Sequence, residues 1–299
     1  MTAETQAAFG TPRERGVRRE AALATAAALV TVVLCASAFV RIRSAGSDLS
    51  PGPLALGRLL IGSLILGSFA LARREPRPAR RDVPGLVAAG LLWFGLYNVA
   101  LNAAERRVDA GTAAMLVNVG PILIALLAGV ILREGLPRRL LVGAAAGVVV
   151  IGLTTADGRS APASGILLCL LAAAAYSTAF VAQKVVLRRV SALQTTFLCC
   201  AVGAVACLPF APSLGTELRA ASAGSIAWVV YLGALPTALG FTTWAYALAR
   251  TSAGRLGVTT YLVPPISIVL GWAILGESPP ALAFAGGSLC LVGVAISRR

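Results

Sequence analysis

Ala104-Glu105-Arg106-Arg107-Val108-Asp109-Ala110-Gly111 recurs, 143 positions further on, as Ala247-Leu248-Ala249-Arg250-Thr251-Ser252-Ala253-Gly254. The register holds beyond that stretch. Pro121 meets Pro264, Glu134 meets Glu277, Pro137 meets Pro280 and Gly143 meets Gly286. Towards the start of each copy the offset is 141, pairing Ser50 with Ser191. Ser37-Ala38-Phe39-Val40 likewise returns as Thr178-Ala179-Phe180-Val181. Self-similarity at a fixed distance marks duplicated structural units, here residues 21–155 and 164–297.

Composition says what each unit is made of. Of 299 residues, 58% are hydrophobic and 13% charged, with a mean hydropathy of +0.83. A soluble domain carries about a quarter charged residues, so this chain needs lipid as part of its solvent. Runs of about 18 or more apolar residues cross a bilayer as helices. Ten lie near 21–40, 52–72, 84–104, 110–132, 138–155, 164–183, 192–211, 223–248, 254–275 and 280–297. Between them stand breakers such as Arg73-Arg74-Glu75-Pro76, Asp157-Gly158-Arg159, Ala211-Pro212-Ser213 and Glu277-Ser278-Pro279-Pro280. Five spans per copy is an odd number, so the second copy enters the bilayer from the opposite face. The fold expected is all-α and integral to the membrane, ten transmembrane helices as two inverted five-helix repeats.

Charge placement agrees. With the N-terminus inside, 19 of the 26 basic residues fall on the inner side and 6 on the outer, and Arg58 lies within span two. Basic excess marks the cytoplasmic face, so both termini are expected there, with residues 1–20 as a basic tail. The loop near Glu134 holds Arg133, Arg138 and Arg139, while its counterpart near Glu277 holds no basic residue. Conversely, two arginines follow span one, and Lys184, Arg188 and Arg189 follow span six. Matching sequence with opposite charge bias suits inverted repeats. Arginine outnumbers lysine 25 to 1, which with abundant Ala and Gly points to a GC-rich bacterial genome and hence the bacterial inner membrane. The net charge of +14 is scattered in small groups, without the continuous basic surface that nucleic acid needs. Arg13 to Arg19 before an apolar run ending in Ala36-Ser37-Ala38 also has the form of a signal peptide. Its recurrence in span six reads it instead as a helix. Six cysteines within apolar runs, no Cys-x-x-Cys and no histidine give no metal site, disulfide framework or cofactor.

Three groups of segments carry a family resemblance: Ala110-Gly111-Thr112…Pro121-Ile122-Leu123-Ile124…Arg133-Glu134-Gly135-Leu136, its partner Ala253-Gly254…Leu262-Val263-Pro264-Pro265…Leu275-Gly276-Glu277, and Ala38-Phe39-Val40 with Leu49-Ser50-Pro51…Arg58. Through them the chain resembles the EamA branch of the drug/metabolite transporter superfamily over residues 21–297. The resemblance implies a cavity lined by spans one, three, four, six, eight and nine. It also implies movement of small metabolites, with export as the family tendency. Cys35 and Tyr176 stand where the family often has Trp.

Polar groups inside those spans are candidates for the substrate path, because intramembrane polar residues are costly and tend to be functional. Asn98 and Asn102 share a face of span three, and the offset aligns Asn98 with Phe241 and Leu101 with Trp244. Asn118, three before Pro121, aligns with Tyr261, three before Pro264. Each proline frees a carbonyl one turn earlier, suiting a bend at a binding site. The candidate substrate-binding set is Asn98, Asn118, Tyr261, Trp244, Trp93, Tyr97, Ser37 and Gln183. The competing reading is interhelical hydrogen bonding and packing, favoured for the last four. Arg58, Glu134, Glu277, Pro121 and Pro264 are assigned structural or gating roles. Arg58 either snorkels to the outer surface or stays inside, where it would hold a substrate carboxylate. Glu134 and Glu277 precede Pro137 and Pro280, where a carboxylate caps the next helix.

No nucleophile and base, paired carboxylates or metal ligands converge, so catalysis is not expected. The expected function is an exporter of small amino-acid-like or other polar metabolites, working by alternating access as a monomer or homodimer in the lipid bilayer. A lipid flippase or a non-transporting scaffold is the alternative. With Glu105, Asp109, Glu134, Asp157 and Glu277 at span ends, facilitated movement is favoured over a proton relay.

Overall fold

The computed structural model describes residues 12–133 and 162–276. Spans five and ten, and with them Glu134 and Glu277, lie outside the described residues. Among the described residues every element is helical. Seven helices are long and apolar enough to cross a membrane: Arg19–Ala45, Pro51–Ala72, Arg80–Glu105, Ala110–Ile131, Ala163–Val186, Ala223–Arg250 and Ala253–Leu275. Ala192–Ala206 and Leu208–Ala220, bent by 52° at their junction, make an eighth if taken as one span. These fall at spans one to four and six to nine.

Two boundaries differ from the sequence reading. The helix of span one begins at Pro12, so the end of the expected tail is helical. Residues 211–220, read as a connection, form a helix with proline in its first two positions. Proline lacks an N–H, which the first turn of a helix does not need. The same Pro212 that interrupts span seven therefore starts a new helix.

Lipid offers the backbone no hydrogen bonds and gives helices little hydrophobic reason to associate, so close packing of small residues does that work. Along span two, Gly52 faces Phe210, Gly62 faces Cys200 and Gly67 faces Phe197. Positions rise along span two as they fall along span seven, so these helices run antiparallel. Gly111 lies against Ile268 and Gly257 against Ile124, which makes spans four and nine antiparallel as well. Each pair consists of equivalent spans of the two copies. Spans two and eight also meet closely: a Cβ at Gly233 would lie 2.6 Å from the Ile61 Cβ and 2.8 Å from the Arg58 carbonyl oxygen.

Irregularities repeat at the sequence offset. Span three contains a π segment, Gly90–Tyr97, and span eight another, Gly233–Gly240. Span four breaks after Val117, where Asn118 caps its first half. Span nine has a 3-10 turn, Thr260–Leu262, at the same place. Asp109 accepts from the Thr112 amide to cap one of these helices, and Ser252 accepts from the Arg255 amide to cap the other. Arg43 Nη1 donates to the carbonyls of Glu105 and Val108, both at 2.9 Å. Lys184 Nζ donates to those of Leu248 and Thr251. A cation thus satisfies the free carbonyls at the end of span three and of span eight, where helix ends have no partners of their own.

At one end of the bundle, Asp48 Oδ2 accepts from the Ser222 amide (2.9 Å) and hydroxyl (2.7 Å), capping span eight. Beside it, Ser50 donates from its amide and hydroxyl to Glu217 at 2.8 and 2.5 Å. At the other end Arg189 pairs with Asp82 at 2.8 Å, and Ser191 donates to Glu75 at 2.8 Å. Equivalent connections are therefore latched at both ends, through different residues.

Two outcomes follow from this packing. Gly233→Ala forces spans two and eight apart and is expected to destabilise the protein by about 1–3 kcal/mol in detergent denaturation. Gly215→Ala, with nothing within 4 Å of the added methyl, serves as a near-neutral control. The Ser222 amide first, then the Ser222 and Ser225 hydroxyls, push the Asp48 carboxyl down from 3.8 to about 2. A lowered folded value means that the stabilisation from this contact is complete above the ordinary carboxylate range and is lost as pH falls through the folded value. Infrared titration, with Asp48→Asn as the reference, should place the midpoint at about 2. Ser222→Ala should raise it.

Candidate functional site

The site begins with the loosened turn in span three. The side chain of Asn98, at the end of the π segment, donates to the carbonyls of Trp93 (3.1 Å) and Phe94 (2.9 Å). One amide side chain thereby ties down carbonyls of the irregular turn, the task that lipid cannot perform. Its Oδ1 is buried without a partner. In span eight the equivalent position is Phe241, whose segment instead carries Pro236.

Asn98 and its π segment turn Trp93 into the middle of the bundle. Trp93 packs against Phe241 at 5.0 Å, Trp244 at 6.1 Å and Tyr176 at 6.4 Å between ring centroids. Phe180 meets Trp244 edge-on at 5.1 Å, and Tyr97 meets Tyr176 edge-on at 5.6 Å. Spans three, six and eight thus meet in one aromatic cluster. Of the candidates from sequence it contains Trp93, Tyr97 and Trp244. It adds Tyr176, Phe180 and Phe241, whose only signal in the sequence was the aromatic face of span eight and a tyrosine in place of Trp.

Span four joins the cluster through its break. Asn118 donates to the Ala114 carbonyl at 2.9 Å, and its Oδ1 is buried without a partner. Two residues on, Gly120 lies directly beneath the Tyr176 ring, and a methyl there would overlap the phenol. Ser177 Oγ donates to the Gly120 carbonyl at 3.0 Å. Pro121 and Pro264 occupy the first positions of the half-helices after the breaks. Tyr261, in the 3-10 turn of span nine, is within electrostatic reach of Tyr176. The structure therefore brings Asn118 and Tyr261 to the edge of the aromatic cluster.

The remaining candidates sit elsewhere in the bundle. Ser37 bonds to the Leu34 carbonyl (2.8 Å) and shares a 2.7 Å hydrogen bond with the Tyr231 hydroxyl, linking spans one and eight. Gln183 is fully buried, three residues beyond Phe180, with neither amide atom bonded. Trp244 Nε1 is also buried and unpartnered. Leaving a buried polar group unpaired costs roughly 1–3 kcal/mol, and among the described residues nothing bonds to these atoms. Asn102 spends its amide on the Pro51 carbonyl at 3.0 Å, between spans three and two. Arg58 does not snorkel. It is 2% exposed and donates from Nε to Thr237 Oγ1 at 3.0 Å, pointing into the bundle.

The Gly120–Tyr176 contact gives a direct test. Gly120→Ala displaces the Tyr176 ring from the break, and a cost of about 1–2 kcal/mol in binding geometry corresponds to roughly tenfold slower transport. Membrane yield and gel filtration should still show folded protein, so that transport is compared on the folded fraction. Unaltered transport would detach span four from the site.

A model of the EamA-like transporter family matches residues 22–156 and again residues 163–299. A protein of Streptantibioticus cattleyicolor named "probable terminal-alkyne amino-acid exporter" is 35% identical over 276 residues, covering 91% of this chain and 92% of the relative. The uncharacterized transporter YdfC of Bacillus subtilis is 31% identical, covering 87% and 86% of the two chains. A Salmonella typhimurium protein named "probable amino-acid metabolite efflux pump" is 24% identical over 73% of this chain and 78% of its own. A solved crystal structure shares the fold with a TM-score of 0.68 at 23% identity, covering 92% of this chain and 96% of that one. Matched twice along its length and accompanied by relatives named as transporters, this multi-pass membrane chain belongs to the EamA-like transporter family.

Proposed function

We propose that the chain is a ten-span carrier of two inverted five-span repeats, residues 21–155 and 164–297. It moves small amino-acid-like or other amphipathic metabolites outwards by alternating access, from the inner membrane of a bacterial cell, with both termini in the cytoplasm. It works as a monomer or homodimer, and no chemical step is performed on the substrate.

The observation that carries this reading is the cluster at spans three, six and eight. Aromatic faces there accept an apolar side chain, while Asn98 Oδ1, Asn118 Oδ1, the Gln183 amide and Trp244 Nε1 remain unbonded. An apolar surface with a few unspent polar groups is the general form of a small-molecule site. The antiparallel packing of equivalent spans and the separate latches at either end supply a body that can rock between two openings. The names of two relatives, an amino-acid exporter and an amino-acid metabolite efflux pump, favour that substrate class and direction. The carboxylates Asp82, Glu105 and Asp109 sit at the ends of described spans, which favours facilitated movement over proton coupling.

Efflux from proteoliposomes preloaded with amino acids, nucleosides or drugs tests the proposal. Flux of an amino-acid-like compound is expected, and Asn118→Ala and Tyr261→Ala should each slow it by roughly tenfold. Normal transport by both variants contradicts the site. Sustained uphill movement driven only by an imposed pH gradient contradicts a facilitator.

A further inference from the structure

Span two, Pro51–Ala72, carries one charged residue along its length, Arg58. A guanidinium inside a membrane bundle is expensive unless an anion or a set of acceptors meets it. Here the requirement is poorly met by the protein. Its one hydrogen bond runs from Nε to Thr237 Oγ1. Among the described residues no carboxylate lies within ion-pairing distance of it. Glu105, Tyr97, Cys35 and Cys200 are among its neighbours. A guanidinium has five N–H donors arranged as a planar fork, so the terminal nitrogens keep their donors unspent.

Position makes this cation relevant to the site. Arg58 lies seven residues into its helix, yet Thr237 stands midway along Ala223–Arg250 and within the π segment. The charged head therefore reaches the middle of the bundle. It is an electrostatic neighbour of Tyr97, whose ring packs against Tyr176 in the aromatic cluster. Near that cluster are side-chain carbonyl oxygens of Asn98 and Asn118, acceptors without donors. A cation, an aromatic surface and spare acceptors are the complement of carboxylate, side chain and ammonium.

We propose that Arg58 is a specificity-determining residue that binds the substrate's carboxylate through its terminal nitrogens. Charge-assisted bonds from a guanidinium to a carboxylate are commonly bidentate, so the residue would select α-amino acids over their amides and amines. The assignment rests on the carrier reading above and adds the chemical group by which that carrier recognises its cargo.

The test compares L-leucine with L-leucinamide, which differ only at the carboxyl group. Wild-type proteoliposomes should move the acid at least about tenfold faster, since a site built around a polar group discriminates strongly against its absence. Arg58→Gln should abolish that preference. Arg58→Lys keeps the charge and loses the fork, so it should retain the preference at a reduced rate. Equal wild-type transport of acid and amide, or an undiminished preference in Arg58→Gln, overturns the assignment. If Arg58→Gln does not fold, the wild-type ratio and Arg58→Lys decide. If neither compound is moved at all, the carrier reading fails, and thermal stabilisation of purified protein then decides Arg58 separately. Stabilisation by leucine and not by leucinamide supports the assignment, and no difference between them overturns it.

Discussion

A backbone carbonyl released from its helix within a bilayer has no water to turn to. Among the described residues, several departures from regular helix are tied to groups that the protein itself supplies. Asn98 serves carbonyls of the π turn in span three. Arg43 and Lys184 serve the carbonyls that close spans three and eight. Proline, which has no N–H to strand, restarts the helix after each break in spans four and nine. The arrangement of the site depends on these repairs. Trp93, which meets Phe241 and Trp244, lies within the π segment, and Gly120, beneath the ring of Tyr176, follows the break in span four.

The two copies meet equivalent needs with unequal chemistry. A carboxylate and a hydroxyl cap the matched helices at Asp109 and Ser252. One end of the bundle is latched by Asp48 on a serine cap, the other by an Asp82–Arg189 ion pair. In span three the position after the π segment is polar Asn98, and in span eight it is Phe241. A near-symmetric scaffold thus carries an asymmetric interior, in which aromatic rings come from spans three, six and eight and the amide of Asn98 has an aromatic counterpart in Phe241. The latches are individual polar contacts between connections, whereas the contact of span two with spans seven and eight is backbone-close packing that a single methyl disrupts.

Much of this was legible in the sequence for physical reasons. Lipid-facing helices must be long and apolar, so the described spans stood out by hydropathy. The offset of 143 survived in prolines and glycines because breaks and close contacts tolerate few alternatives. It carried Asn118 and Tyr261 to matching breaks correctly. Other features had no local signal. A π turn needs no special residue, so Gly90–Tyr97 and Gly233–Gly240 read as ordinary helix. Arg43 and Lys184 were counted as orientation charges because their carbonyl partners lie more than sixty positions away. Pro212 was read as a stop, although in this setting it begins a helix. Tyr176 and Phe180 entered the aromatic cluster only once span six was placed against spans three and eight.

The central claim is that two oppositely directed copies rock about a shared middle, so that the two ends open in turn. Spin-label distances between residues 48 and 222 at one end, and between residues 82 and 189 at the other, test it most directly in lipid. Adding a transported compound should lengthen one distance while shortening the other, with the Gly62–Gly233 region unchanged. Both ends opening together, or neither moving during measured flux, would contradict the account.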